Sequence, residues 1–219
     1  MEITILRHPR CRRPRLTVTG PGEARLTLPR NFPKDAAARF LEESREWLQH
    51  AAGRMENRDE GIRTLHRENP GKIRLLGEWR PYRLEEGSRR LHRFDGEVLV
   101  LRDGRGLERF YRDRAEAFFA AAAGEVASAL GKEIGTIRIK EMKSRWGSCS
   151  ARNNLNFNYH LVKAPEPVCR YVAVHEACHL EELNHSPRFW GLVGEFFPGW
   201  RETVRWLKAH GRELAYDPF

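Results

Sequence analysis

The chain is short of cysteine, short of lysine and without a long apolar run, and each shortage excludes something. Its four cysteines, Cys11, Cys149, Cys169 and Cys178, form no CxxC pair and no dense framework. That argues against a disulfide-stapled secreted scaffold and makes a reducing cytoplasm the expected compartment. The opening "MEITILRHPR" lacks the apolar segment of a signal peptide, and no run approaches membrane-spanning length, so no membrane partner is expected. Internal repeats and low-complexity linkers are absent as well. Only 7 lysines accompany 32 arginines. The densest basic cluster, Arg10, Arg12, Arg13 and Arg15, has no aromatic residue between its charges on which bases could stack.

What is present is an uneven positive charge. The net charge is +9, and residues 1–110 hold 24 Lys and Arg against 17 Asp and Glu, while residues 111–219 hold 15 against 13. The surplus, +7 against +2, lies in the first half. It allows an anionic partner, nucleotide or nucleic acid, or else describes the solvated surface of an arginine-rich protein. With 219 residues and 40% hydrophobic content, the chain is long enough to bury a real core.

The first thirty residues alternate in the β manner ("ITIL", "RLTVT", "ARLTLP"), with a turn at Gly20–Glu23. Residues 34–52 carry Phe40, Leu41, Trp47 and Leu48 at helical spacing and predict one amphipathic helix. Short strands are expected near 72–76, 80–85, 89–94 and 97–101. From Leu107 the pattern turns helical until Gly131. "TIRIKEM" (136–142) and "NLNFNYHL" (154–161) read as strands. A helix is then expected over 165–183, ended by a left-handed Asn184, followed by one capped by Ser186 and begun by Pro187, and by a last one after Gly199. The expected fold is α+β: a β-rich N-terminal region, 1–105, with one helix, and a mainly helical region, 106–219, with a short sheet beside its central helix, the two packed as one unit.

That central helix carries the chemistry. In "AVHEACHLEELNHSPRFW" (173–190), His175 and His179 are four residues apart and therefore share one helix face. Two imidazoles so placed reach one ion, and Glu176 beside them suits a general base, which is the pattern of a zinc hydrolase. His185, six residues beyond, is the expected third ligand, with Glu195 on the next helix as the alternative. Its spacing repeats HExxHxxGxxH, although Glu182 stands where that pattern has glycine. Three neutral imidazoles leave one position of a tetrahedral zinc for water, whereas a structural zinc usually closes it with a protein ligand, generally cysteine. Cys178, within the helix, reads as a small buried apolar residue. The spacing predicts hydrolysis without naming the bond. Peptide or protein is the leading substrate, with a zinc-dependent phosphohydrolase acting on a nucleotide, or a nucleic-acid-associated protease, as alternatives.

Taken in order, "SRWGSCS" (144–150), "LNFNYHLVKAP" (155–165) and "VAVHEACHLEELNHSPRFW" (172–190) resemble the YgjP-like family of zinc metallopeptidases, related to the SprT and Spartan-type proteases. The likeness is strongest over 136–210. It implies a zincin-like fold, zinc held by His175, His179 and His185, and a catalytic Glu176. Within these motifs Arg145 is a candidate to stabilise negative charge in the transition state, and Tyr159 a candidate oxyanion donor. The family commonly has Trp-Arg where this chain has Tyr159-His160, which leaves the role of that pair open.

Overall fold

The computed structural model describes residues 1–20 and 22–217, and these form two compact units, Met1–Glu68 and Asn69–Phe219. In the first, strands β1 (Glu2–Arg7), β2 (Arg15–Gly20) and β3 (Glu23–Leu28) make one sheet in the order β1-β3-β2. β1 runs parallel to β3, and β2 antiparallel to it. The turn expected at Gly20–Glu23 includes Pro21, which lies outside the described residues. Along β3 the residues Ala24, Leu26 and Leu28 alternate inward and are buried, giving the unit a small core with Ala37.

The single helix expected over 34–52 is two helices, α1 (Lys34–Glu43) and α2 (Arg45–Arg67). They are parted at Ser44, whose backbone leaves the helical region at φ −91°, ψ 0°. α2 runs fifteen residues past the expected end, through "GRMENRDEGIRTLHR", which is mostly polar and has Met55, Ile62 and Leu65 as its large apolar residues, Ile62 being buried.

The second unit holds a four-stranded sheet, β4 (Lys72–Leu75), β5 (Glu78–Leu84), β6 (His92–Asp95) and β7 (Val98–Leu101), in the order β4-β5-β7-β6. The break near residue 105 is a change from strand to helix inside this unit. Ile73, Leu99 and Leu101 from the sheet share one buried cluster with Leu107, Phe110 and Tyr111 of α3 (Gly104–Ala129). Asp103 caps α3 by accepting from Gly106 N–H at 2.9 Å, and Gly131 follows its end at φ +62°.

A second small sheet contains β8 (Ile137–Lys140), β9 (Gly147–Cys149) and β10 (Leu155–Asn158), in the order β8-β10-β9, so β9 is an edge. The strand expected over 154–161 stops at Asn158, where the side chain accepts the His160 N–H and turns the chain into a 3-10 helix, Tyr159–Lys163. The same core cluster continues through α4 (Glu166–Cys178), α5 (Pro187–Phe196) and α6 (Trp200–His210).

The tight turn at Leu76-Gly77 fixes where α4 begins. Gly77 has φ +86°, and a Cβ there would come within 2.9 Å of Pro165 Cα, while Leu76 N–H donates to Val162 O at 2.8 Å. A β-hairpin thereby abuts the entry of the histidine-bearing helix.

Candidate metal centre

α4 is apolar nearly all round, with Val168, Cys169, Val172, Ala173, Ala177 and Cys178 buried, so its polar residues need a reason to be there. It ends at Cys178, not at 183. His179 is the C-cap, still at helical dihedrals (φ −67°, ψ −14°), so the pairing of His175 with His179 survives the shorter helix. Their rings lie 5.1 Å apart. Past His179 the chain reverses through tight turns, with Leu180 N–H on Ala177 O at 3.0 Å and Glu181 N–H on Cys178 O at 3.1 Å. Asn184 is not left-handed; the only non-glycine residues at positive φ among those described are Leu76 and Asn153. Ser186 N–H closes on Asn184 O at 2.8 Å, and Ser186 Oγ then caps α5 by accepting from Phe189 N–H at 3.2 Å.

This reversal brings His185 back to α4. One ring nitrogen from each of His175, His179 and His185 lies within 4.8 Å of the others. His175 Nε2 and His185 Nε2 are 3.1 Å apart. Two ligands on a tetrahedral zinc, with bonds of ~2.0–2.1 Å, stand about 3.3 Å apart, so the spacing fits such an ion. The outer nitrogens are also arranged for ligation. His179 Nδ1–H donates to Glu182 O at 2.9 Å, leaving Nε2 free, and Tyr171 Oη sits 3.3 Å from His175 Nδ1. Burial, reinforced by His179 and His185, pushes the His175 pKa down to about 3. Burial also lowers that of His179, against the raising effect of the Glu182 carbonyl. Neutral imidazole is the form that binds metal.

Phe189 is fully buried and touches all three rings, with centroids 4.9, 4.3 and 4.9 Å from His175, His179 and His185. Trp190 stacks on His185 at 5.6 Å and on Trp200 at 4.3 Å. These aromatics form an apolar backing that keeps the imidazoles in place.

The three histidines, Glu176 and Arg145 line one cavity of 680 Å³, together with the 144–149 segment and with Val204, Leu207 and Lys208 of α6. Glu176 is buried, and burial raises its pKa to about 8, with Arg145 acting in the opposite direction. β9 passes so close that a Cβ on Gly147 would lie 2.5 Å from Glu176 Cγ. Trp146, beside it, packs on Gly211, where a Cβ would meet the indole at 2.9 Å.

Three sequence candidates stand elsewhere. Tyr159 is not among the residues lining the cavity; its ring lies under the Arg112 guanidinium at 4.5 Å and beside His160 at 4.1 Å. His160 is buried and accepts through Nδ1 from Lys163 Nζ at 3.1 Å. Glu195 is exposed on α5 and outside the three-histidine group. Sequence reading passed over Tyr171, Gly147, Phe189 and Trp190. Tyr171 had a signal, since Tyr171, His175 and His179 repeat at four-residue intervals.

Among solved structures, the metallopeptidase zymogen abylysin of Pyrococcus abyssi is 22% identical over 42% of this chain and 93% of its own, at TM-score 0.38. The zymogen jannalysin of Methanocaldococcus jannaschii is 23% identical over 42% of this chain and 94% of its own, at TM-score 0.37. No functionally curated protein matches the chain. The model of the YgjP-like metallopeptidase domain, by contrast, matches residues 12–210 and so spans every strand after β1, the edge segment beside Glu176 and every histidine of the cluster. The chain belongs to the YgjP-like metallopeptidase family.

Proposed function

We propose that the protein is a zinc-dependent metallopeptidase in which His175, His179 and His185 hold the ion and Glu176 is the general base. The observation carrying this reading is the three-nitrogen cluster in the same cavity as a buried carboxylate. Zinc bound there supplies Lewis acidity toward a carbonyl oxygen and makes an attacking water easier to deprotonate. The chain's own residues do the rest. Glu176 takes a proton from that water at its carboxylate and delivers it to the leaving nitrogen. A pKa raised by burial suits both halves of that shuttle near neutral pH. Gly147 allows β9 to close over Glu176, which shields the carboxylate from bulk water. Arg145, exposed at the cavity, is positioned to balance negative charge that develops during attack. Tyr159, away from the cavity lining, is given no part. A reducing compartment suits the four free thiols. Among the described residues no helix is long and apolar enough to cross a membrane.

A second reading has one observation in its favour. Among the described residues Glu176 is the only carboxylate lining the cavity, whereas Arg145 and Lys208 bring two cations, a balance that also suits a nucleotide phosphate. Turnover of a casein-derived peptide pool and of a nucleoside triphosphate panel, measured beside Glu176→Gln, separates the two. The peptidase reading expects peptide cleavage lost in the variant while zinc content stays at one per chain. General base catalysis contributes about 10²–10⁴ in rate, so the fall should be at least in that range. Phosphate release without peptide cleavage would transfer the same machinery to the second reading.

A further inference from the structure

The first unit holds a second cavity, of 650 Å³, that the peptidase chemistry does not use. It is lined by His8, Arg10, Arg12, Arg13 and Arg15, with Cys11, Pro14 and Thr27 as its uncharged residues. The segment joins the end of β1 to the start of β2, where Arg15 pairs with Thr27 of β3. Its backbone is held by its own hydrogen bonds. Cys11 N–H donates to His8 O at 3.0 Å, Arg10 N–H to His8 Nδ1 at 3.2 Å, and Cys11 Sγ to Arg13 O at 3.0 Å.

The arginines differ in what occupies them. Arg7, just before the segment, is tied to the fold, donating to Arg30 O at 2.8 Å. Arg10, Arg12, Arg13 and Arg15 are exposed, and among the described residues no hydrogen bond or ion pair engages their guanidinium groups. No Asp or Glu occurs between Ile3 and Gly22. Four like charges within six residues repel one another, and nothing in the segment offsets that cost. An anion would. Guanidinium forks suit phosphate oxygens bidentately. Apart from the His8 imidazole, the walls lack an aromatic platform for unpaired bases, and they lack a broad apolar face for acyl chains or peptide side chains, which favours a regularly spaced phosphate backbone.

We infer that this cavity docks the phosphate backbone of double-stranded nucleic acid, without reading its bases. The inference is independent of the peptidase reading, since it uses none of the second unit's residues.

The test is fluorescence anisotropy of the full-length protein with a labelled 24-base-pair duplex of arbitrary sequence, titrated from 50 to 200 mM salt. Four phosphate contacts give a log–log salt slope of about −3.6, and Arg12→Ser with Arg13→Ser should bring it to about −1.8 with at least a tenfold loss of affinity. Arg12→Lys with Arg13→Lys should keep the slope. Arg89→Ser with Arg90→Ser removes the same charge from exposed positions in the second unit and should change neither quantity. Circular dichroism should be unaltered throughout. Equal weakening by both serine pairs would reduce the effect to net charge and overturn the site. Binding that ignores Arg12 and Arg13 would overturn it too, as would Arg12- and Arg13-dependent capture by phosphatidylserine vesicles with no duplex binding.

Discussion

Glu176 and His175 carry opposite shifts, and together they set how the chelated protein should respond to pH. His175 falls from an ordinary 6.5 to about 3, so its neutral form stabilises the fold fully above pH 6.5 and that contribution is lost as pH falls toward 3. Glu176 rises from 4.5 to about 8, so its protonated form stabilises the fold below 4.5 and the contribution is lost as pH rises toward 8. Between 4.5 and 6.5 these two slopes cancel, but buried His160, lowered to about 4, and His179, also lowered, add their own acid-side loss there. Urea unfolding of EDTA-treated protein should therefore show stability falling as pH drops below 6.5, and a separate loss of about 2 kcal/mol between pH 6.5 and 8 from Glu176. Glu176→Gln should remove the alkaline loss and, by ending the cancellation, steepen the fall between pH 6.5 and 4.5. Gly147 supports a second prediction. A methyl group there collides with Glu176, so Gly147→Ala should retain bound metal but lower turnover at least tenfold, as displaced catalytic groups do. The histidines and Glu176 could be recognised in the sequence because a fixed helical spacing announces them. The need for glycine at 147 could not, because it arises where a distant strand crosses α4.

At the scale of elements, α5 supports the three-histidine cluster that α4 and its following turns assemble. Ser186 and Pro187 start α5 where the sequence expected, and that start places Phe189 under three imidazoles. Phe189→Ala should cost about 3–5 kcal/mol of stability as a large buried ring is lost. It should also weaken zinc binding measured by competition with a chromogenic chelator, because all three rings lose a common support. Wild-type zinc affinity in a folded Phe189→Ala protein would show that the histidines are held by α4 and its turns alone. Element ends were less legible than element types. α4 stops at Cys178 because His179 and the carbonyls before it engage in tight turns, which no cap residue signals. Likewise β10 ends at Asn158 through a side-chain bond to the backbone, inside a segment whose alternation continues. Residues 53–67 of α2 were missed for a different reason, since three large apolar residues among fifteen give only a weak helical signal.

For the molecule as a whole, the change of secondary structure near residue 105 and the division of the chain between Glu68 and Asn69 are different things. A change of period marks where strand gives way to helix, and it says nothing about which elements share a core. That sharing decides how the chain can be cut. Every residue of the large buried cluster lies between Ile73 and Leu214, and it includes Ile73, Leu99 and Leu101 from the four-stranded sheet. A fragment beginning at Asn69 keeps the whole cluster. One beginning at residue 106 loses those three side chains, each worth about 1.5–3 kcal/mol when buried. The sum, roughly 5–9 kcal/mol, is comparable to the entire stability of a typical domain. It would also expose the face of α3 that carries Leu107, Phe110 and Tyr111. We expect the 69–219 fragment to be monomeric, to melt cooperatively and to bind one zinc per chain, and the 106–219 fragment to aggregate or melt without a transition. Calorimetry and metal analysis of the two fragments check this. A stable, zinc-binding 106–219 fragment would mean that the sheet is dispensable to the metal centre.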